Sequence, residues 1–182
     1  MNITIFGGAQ PKPGEPVYQM AYELGKHLAG DGHVVLTGGY IGTMEAASRG
    51  AAEAGGHVVG VTCAEIEDWR KIKPNAWVLE ERRFATLNER LAALMDQSDL
   101  AIALPGGVGT LVEISLLWNR MIIQSLPARP LILIGDGWQQ VFTAFLETQG
   151  GFVQKHDRDL LHFALSVDEA VEQVRAFCNQ GH

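Results

Sequence analysis

Short apolar runs alternate with stretches of helical periodicity along the whole chain. Ile3–Phe6 reads as a first strand, ended by Gly7-Gly8. Val17, Ala21, Leu24 and Leu28 then recur at spacings of four, three and four, which is one face of a helix. His33–Thr37 predicts a second strand, followed by Gly38-Gly39 and a helix carrying Met44, Ala47, Ala51 and Ala54. His57–Thr62 predicts a third. The pattern is less regular from Cys63 to Arg83, where Pro74 interrupts it and Ala76–Leu79 offers a short extended piece; its Trp69, Arg70, Trp77, Arg82 and Arg83 read either as pocket lining or as a cover for the sheet. A helix with Leu87, Leu91 and Leu94 inward leads into the strand Leu100–Leu104, and a helix from Thr110 to Gln124 follows a Gly-rich turn. Pro130 introduces the strand Leu131–Ile134, then come the helix Trp138–Glu147, a last strand at Leu160–Ala164 and a closing helix over Ser166–Phe177.

Apolar strands that alternate with helices need a parallel sheet covered on both faces. With right-handed crossovers this predicts an α/β fold, a single-domain doubly wound Rossmann-like parallel sheet with helices on both faces, spanning residues 1–182. The sequence contains no internal repeat, low-complexity tract or linker that would divide it.

Composition narrows the partners. The apolar fraction of 47% and charged fraction of 19% are those of a globular domain. The net charge is -7 and the basic residues form no dense run, which argues against a nucleic-acid surface. A small phosphorylated ligand needs only local positive potential. Cys63 and Cys178 lie far apart and outside any Cys/His spacing for a metal, so they read as reduced thiols with no metal site. Met1–Phe6 lacks the basic start and long apolar stretch of a signal peptide, and no apolar run approaches the roughly 20 residues that span a bilayer. A cytoplasmic protein with no membrane partner is expected.

Candidate chemistry gathers in three turns that follow predicted strands: Gly7-Gly8, Gly38-Gly39 with Gly42, and Gly106-Gly107 with Gly109. In an open parallel sheet, ligands sit beyond the carboxyl ends of the strands. Glycines let the backbone approach a ligand closely, and a helix N-terminus offers unpaired N–H groups for phosphate. In the third turn, Pro105-Gly106-Gly107-Val108-Gly109-Thr110, the Thr110 hydroxyl can also donate to a phosphate oxygen. Glu113, three residues on, shares the first helical turn with Thr110. Thr110 to Glu113 fits a helix capping box equally well, but a cap does not need three glycines in four positions. The second turn reads either as the completion of a nucleotide site or as a tight strand–helix connection. None of the three has the G-x-G-x-x-G order of a dinucleotide fingerprint. Helix geometry puts Arg90 on a flank beside Thr86 and Ala93, a position at which an arginine is ordinarily solvated.

The run Pro105-Gly106-Gly107-Val108-Gly109-Thr110-Leu111-Val112-Glu113 resembles the PGGxGTxxE signature of the Lonely-guy (LOG) phosphoribohydrolases. The resemblance extends over nearly the whole chain, including Ser98-Asp99, Trp118, Arg129-Pro130, Asp136-Gly137-Trp138 and Gly150-Gly151-Phe152-Val153. It implies hydrolysis of a nucleoside 5′-monophosphate, of the AMP or cytokinin riboside type, to free base and ribose 5-phosphate without a cofactor. It also implies catalytic roles for Arg90 and Glu113 and a nucleotide held by the three glycine turns. The family's second signature, an Arg-Lys pair usually preceded by Met-His-Glu, reads here Leu87-Asn88-Glu89-Arg90-Leu91. Leu91 therefore replaces a lysine, and Glu45 stands where many relatives carry glycine. The wider superfamily includes a molybdenum-cofactor carrier, so non-catalytic binding of a nucleotide or of a phosphorylated cofactor such as molybdopterin is the alternative. Ile114, Leu116, Leu117, Trp118, Met121, Ile122 and Ile123 make the helix after Glu113 apolar on nearly all sides, and together with the resemblance they predict a homodimer.

Overall fold

The computed structural model describes residues 1–180. It contains the strands β1 (Asn2–Phe6), β2 (Val34–Thr37), β3 (Val58–Cys63), β4 (Glu80–Phe84), β5 (Leu100–Ala103), β6 (Leu131–Ile134) and β7 (Leu161–Ala164). The helices are α1 (Pro16–Gly30), α2 (Thr43–Glu53), α3 (Ala64–Arg70), α4 (Leu87–Asp96), α5 (Val108–Ile122), α6 (Asp136–Gln149), α7 (Lys155–Arg158) and α8 (Val167–Gln180). All seven strands run parallel in the order β4-β3-β2-β1-β5-β6-β7. The expected Rossmann-like sheet is thus formed.

Side-chain alternation explains the two layers of helices. Ile3, Ile5, Val35, Val58, Ile102 and Ile132 point to one face and pack with α1, α2 and α8. Phe6, Leu36, Val59, Ala101 and Leu133 point to the other and pack with α4, α5 and α6. The chain leaves β1 in both directions along the sheet, with β2 on one side and β5 on the other. The crevice between the carboxyl ends of β1 and β5 is therefore the topological switch point, where open α/β sheets bind ligands.

The irregular stretch folds differently from its sequence reading. The strand lies at Glu80–Phe84 rather than Ala76–Leu79, and a short helix, α3, precedes it. Charges occupy both faces of β4, so hydrophobic periodicity does not reveal it. Its pairing with β3 is supported by Thr62 Oγ1 donating to Glu81 at 2.6 Å, and within β4 itself Arg82 pairs with Glu80 at 2.6 Å. Charged side chains on an edge strand also discourage pairing with another chain. Elsewhere the boundaries move by a few residues: α5 starts at Val108, α6 at Asp136, α8 runs to Gln180, and Ala54 lies exposed beyond the end of α2. Among the described residues, no helix is long and apolar enough to cross a membrane.

Candidate functional site

Three loops meet at the switch point. The Gly8 N–H donates to the Pro105 carbonyl at 3.2 Å, which ties the loop after β1 to the one after β5. The Gly8 carbonyl accepts from Thr43 N at 2.9 Å and from Thr43 Oγ1 at 3.0 Å, which ties it to the start of α2. A side chain at Gly106 would overlap the Thr110 hydroxyl, so this glycine is required by close approach. The Trp138 indole donates to the Leu104 carbonyl at 2.9 Å and anchors the end of β5 just before the turn.

The turn opens α5 in a form suited to an anion. Its cap, Gly107, has no side chain, and the first helical bond runs from Leu111 N to the Gly107 carbonyl. The N–H groups before Leu111 therefore have no partner within the helix, and they carry the positive end of its dipole. Gly106, Gly107, Val108 and Gly109 are all exposed. Thr110 is the third residue of α5 and is buried against Gly106. It is not the N-cap, so the capping box considered from sequence does not form here. The Thr110 hydroxyl lies where a side chain at Gly106 would stand.

A cavity of about 480 Å³ lies beside this helix start, lined by Val108, Gly109, Val112 and Glu113 of α5, Arg90 and Leu91 of α4, and Tyr40 and Met44. Arg90 is buried, contrary to its expected place on a solvated flank, whereas Leu87, expected to point inward, is 40% exposed. The inward face of α4 is rotated towards Arg90, Leu91, Leu94 and Met95. The buried guanidinium finds partners around it. Nε donates to the Val61 carbonyl at 2.7 Å, the guanidinium carbon stands 5.8 Å from the centre of the Tyr40 ring, and Nη1 lies 3.8 Å from Glu113 Oε1. A side chain at Gly38 would overlap Arg90 Nη2, so this glycine makes room for the guanidinium.

Burial pushes the Glu113 carboxyl up from its ordinary 4.5 to about 7, against the opposing pull of the Arg90 charge. Burial likewise pushes the Tyr40 hydroxyl up to about 12. That hydroxyl accepts from Cys63 N at 2.8 Å and donates to the Cys63 carbonyl at 3.1 Å, which fixes the ring beneath Arg90. The cavity therefore sets the buried Arg90 cation beside a carboxyl group able to change protonation near neutral pH, with Arg70 a second cation on its wall.

Of the residues singled out from sequence, Arg90, Glu113, Val108 and Gly109 line the cavity together. Gly7, Gly8, Gly42, Gly106, Gly107 and Thr110 build the loops behind and beside it. Gly38 and Gly39 act as packing positions: Gly39 lies against Gly60, and Asn75 covers it by donating to the Gly39 and Tyr40 carbonyls at 3.0 and 2.8 Å. Glu45 is outside the lining, and its charge is felt instead by Tyr18, whose hydroxyl is pushed up first by burial and then by Glu45. The sequence does not single out Tyr40, Met44, Glu65 or Ile66 for the site, whereas Trp69 and Arg70, open between pocket lining and sheet cover, join Glu65 and Ile66 in the cavity wall supplied by α3. Tyr40 carried a signal, since it lies inside the second glycine turn. The α3 residues carried none in their spacing.

The apolar helix α5 is largely covered within the chain. Ile114, Leu117, Trp118 and Met121 are buried, and Leu116 and Ile122 are half-buried. The apolar side chains it leaves exposed are Val108, Leu111 and Val112, and Ile123 just past its end is exposed as well.

With this geometry in place, comparison with known proteins is informative. The model of the SLOG cluster4 family matches residues 1–159. The cytokinin riboside 5′-monophosphate phosphoribohydrolase LOG of Oryza sativa subsp. japonica is 32% identical, over 97% of this chain and 73% of its own. LOG5 of Arabidopsis thaliana, which bears the same activity name, is 29% identical over 97% of this chain and 78% of its own. Among solved structures, the molybdenum cofactor carrier protein of Chlamydomonas reinhardtii superposes with a TM-score of 0.76 at 26% identity, covering 98% of both chains.

Proposed function

The chain belongs to the Lonely-guy (LOG) family, within the SLOG cluster4 group, and on that premise we propose that it hydrolyses the N-glycosidic bond of a nucleoside 5′-monophosphate to free base and ribose 5-phosphate. One observation carries this reading: Glu113 and Arg90, from different helices, meet in a cavity that also reaches the open start of α5. The 5′-phosphate sits against the exposed N–H groups at Gly107–Gly109, where a helix N-terminus favours an anion. Binding energy gained there holds the sugar in a reactive pose beside Glu113. As the bond to the base breaks, positive charge develops on the sugar, and a carboxylate stabilises it or takes a proton from the attacking water. A carboxyl titrating near 7 has both states accessible at neutral pH. Arg90, fixed through Nε to Val61, leaves Nη1 to face Glu113 and the ligand. Water is the only co-reactant this chemistry uses. In this reading the protein is a homodimer, with the exposed α5 residues Val108, Leu111 and Val112 meeting a second copy.

Comparing AMP with adenosine tests the phosphate anchor. Adenine release from AMP with little or none from adenosine supports the reading, and equal rates for the two would contradict it.

A second reading is supported by the likeness to the Chlamydomonas carrier protein, whose name describes carriage of a cofactor. Leu91 lines the cavity at the position of the LOG lysine and leaves it one cation poorer, which favours binding without turnover. The raised Glu113 favours the enzyme.

A further inference from the structure

We propose that Trp69 is the platform on which the base of the bound nucleotide stacks, which makes α3 the element that selects the base. This inference rests on the nucleotide reading of the Arg90–Glu113 cavity. Trp69 lines that cavity yet is 75% exposed. Every residue of α3 is half-buried or exposed, so the indole adds nothing to the core, and the face that Arg70 does not cover is left for something else. The helix is nevertheless held firmly in place. Glu65 Oε2 accepts from Leu87 N at 2.7 Å, and Glu67 Oε2 pairs with Arg83 at 2.8 Å. The Arg70 guanidinium carbon stands 5.0 Å from the centre of the Trp69 ring, where a cation is attracted to the π face. An electron-rich aromatic carried by an anchored helix at the wall of a ligand cavity is suited to a planar heterocycle.

The chemistry of the remaining walls supports this assignment. The groups fit for phosphate and sugar, Gly109, Arg90 and Glu113, come from α4 and α5. A cavity of about 480 Å³ has more room than a sugar phosphate fills, and the walls not used by it include Ile66, Trp69 and Leu87. Stacking on an aromatic side chain suits any base, because each has a π face, and strength of stacking then grades one base against another.

The test measures binding of AMP and of ribose 5-phosphate by calorimetry, in a Glu113→Gln background so that AMP is not consumed. Trp69→Leu and Trp69→Phe are added to that background. The expected result is that Trp69→Leu weakens AMP about tenfold or more, leaves ribose 5-phosphate unchanged, and that Trp69→Phe retains most of the AMP affinity. Unchanged AMP affinity in Trp69→Leu would overturn the proposal while leaving the nucleotide reading intact. A parallel loss for both ligands would also overturn it, since the base would then have no special contact. Conversion to a smaller species on sedimentation of Trp69→Leu would assign the indole to a contact between copies and overturn it too. Failure of both ligands to bind the background protein would remove the nucleotide reading itself, and this inference with it.

Discussion

Nη1 of Arg90 lies 3.8 Å from Oε1 of Glu113, and the two side chains arrive from different helices, α4 and α5. The pair is close but not in hydrogen-bond contact. The arginine consequently lowers the carboxyl's proton affinity only in part, and burial dominates. Glu113 is poised to titrate near neutral pH because its desolvation outweighs its charge partner.

This balance sets the pH dependence of activity. kcat/KM for base release is expected to fall on the acid side with a midpoint near 7, as Glu113 gains a proton. Replacing Arg90 by methionine removes the group that lowers this midpoint and is expected to move the titration of Glu113 to higher pH. An NMR titration of the Glu113 carboxyl in the free protein reads that shift even where turnover is lost. A midpoint near the ordinary carboxylate range in the parent protein would contradict the assignment.

The same shift has a consequence for stability. A carboxyl whose folded pKa is raised from 4.5 to about 7 favours the folded state when protonated. Its contribution is fully present below about pH 4.5 and is lost as pH rises through 7, to a total of roughly 3 kcal/mol at most. Glu113→Gln carries no such penalty. Denaturant unfolding is therefore expected to show the variant gaining on the parent between pH 4.5 and 8, with the difference level above that. A constant difference across this window would count against the raised carboxyl.

Gly38 governs the arginine from behind. In Gly38→Ala the added methyl would overlap Arg90 Nη2 and approach Met44 Sδ at 2.6 Å, so the guanidinium must leave the position that faces Glu113 in the parent protein. Overpacking of this kind costs about 1–3 kcal/mol of stability, and the displacement is expected to reduce kcat by one to two orders of magnitude, because a misplaced catalytic group costs roughly that much. Thermal unfolding and steady-state kinetics measure the two effects. Wild-type kcat in Gly38→Ala would show that the position of Arg90 does not matter.

The homodimer is tested on the exposed part of α5. Sedimentation at micromolar concentration is expected to give a dimer, and Leu111→Glu, which places a charge at a 39% exposed apolar position, is expected to shift it towards monomer. A monomeric parent protein would contradict the prediction.

The sequence made the middle of the sheet legible because β1, β2, β3, β5 and β6 are apolar runs, packed on both faces by helices. It did not make β4 legible, since Glu81 is met by Thr62 of β3, Glu80 and Arg82 pair with each other and Arg83 pairs with Glu67 of α3, polar partners in place of a core. Arg90 was visible as a family residue, but its burial was not. A helical wheel built on Leu87, Leu91 and Leu94 cannot register the Val61 carbonyl and Glu113 that receive its charge. Spacing also misdirected the search for helix caps. Thr110 to Glu113 has the right pattern but follows the true cap, Gly107, whereas Thr86 and Glu89 form a complete capping box at the start of α4. The role of Trp69 and Arg70 stayed open between pocket lining and sheet cover because α3 is ordered by polar ties to Leu87, Arg83 and Tyr40, which periodicity does not encode.

The most direct test of the account is to incubate the purified protein with a panel of nucleoside 5′-monophosphates and to quantify free base and ribose 5-phosphate chromatographically, with Glu113→Gln in parallel. Hydrolysis at the Arg90–Glu113 site is expected to give equimolar base and ribose 5-phosphate from at least one member of the panel, lost or reduced by orders of magnitude in Glu113→Gln. Tight binding of the same nucleotides by both proteins, with no base released by either, would contradict hydrolysis and leave a carrier.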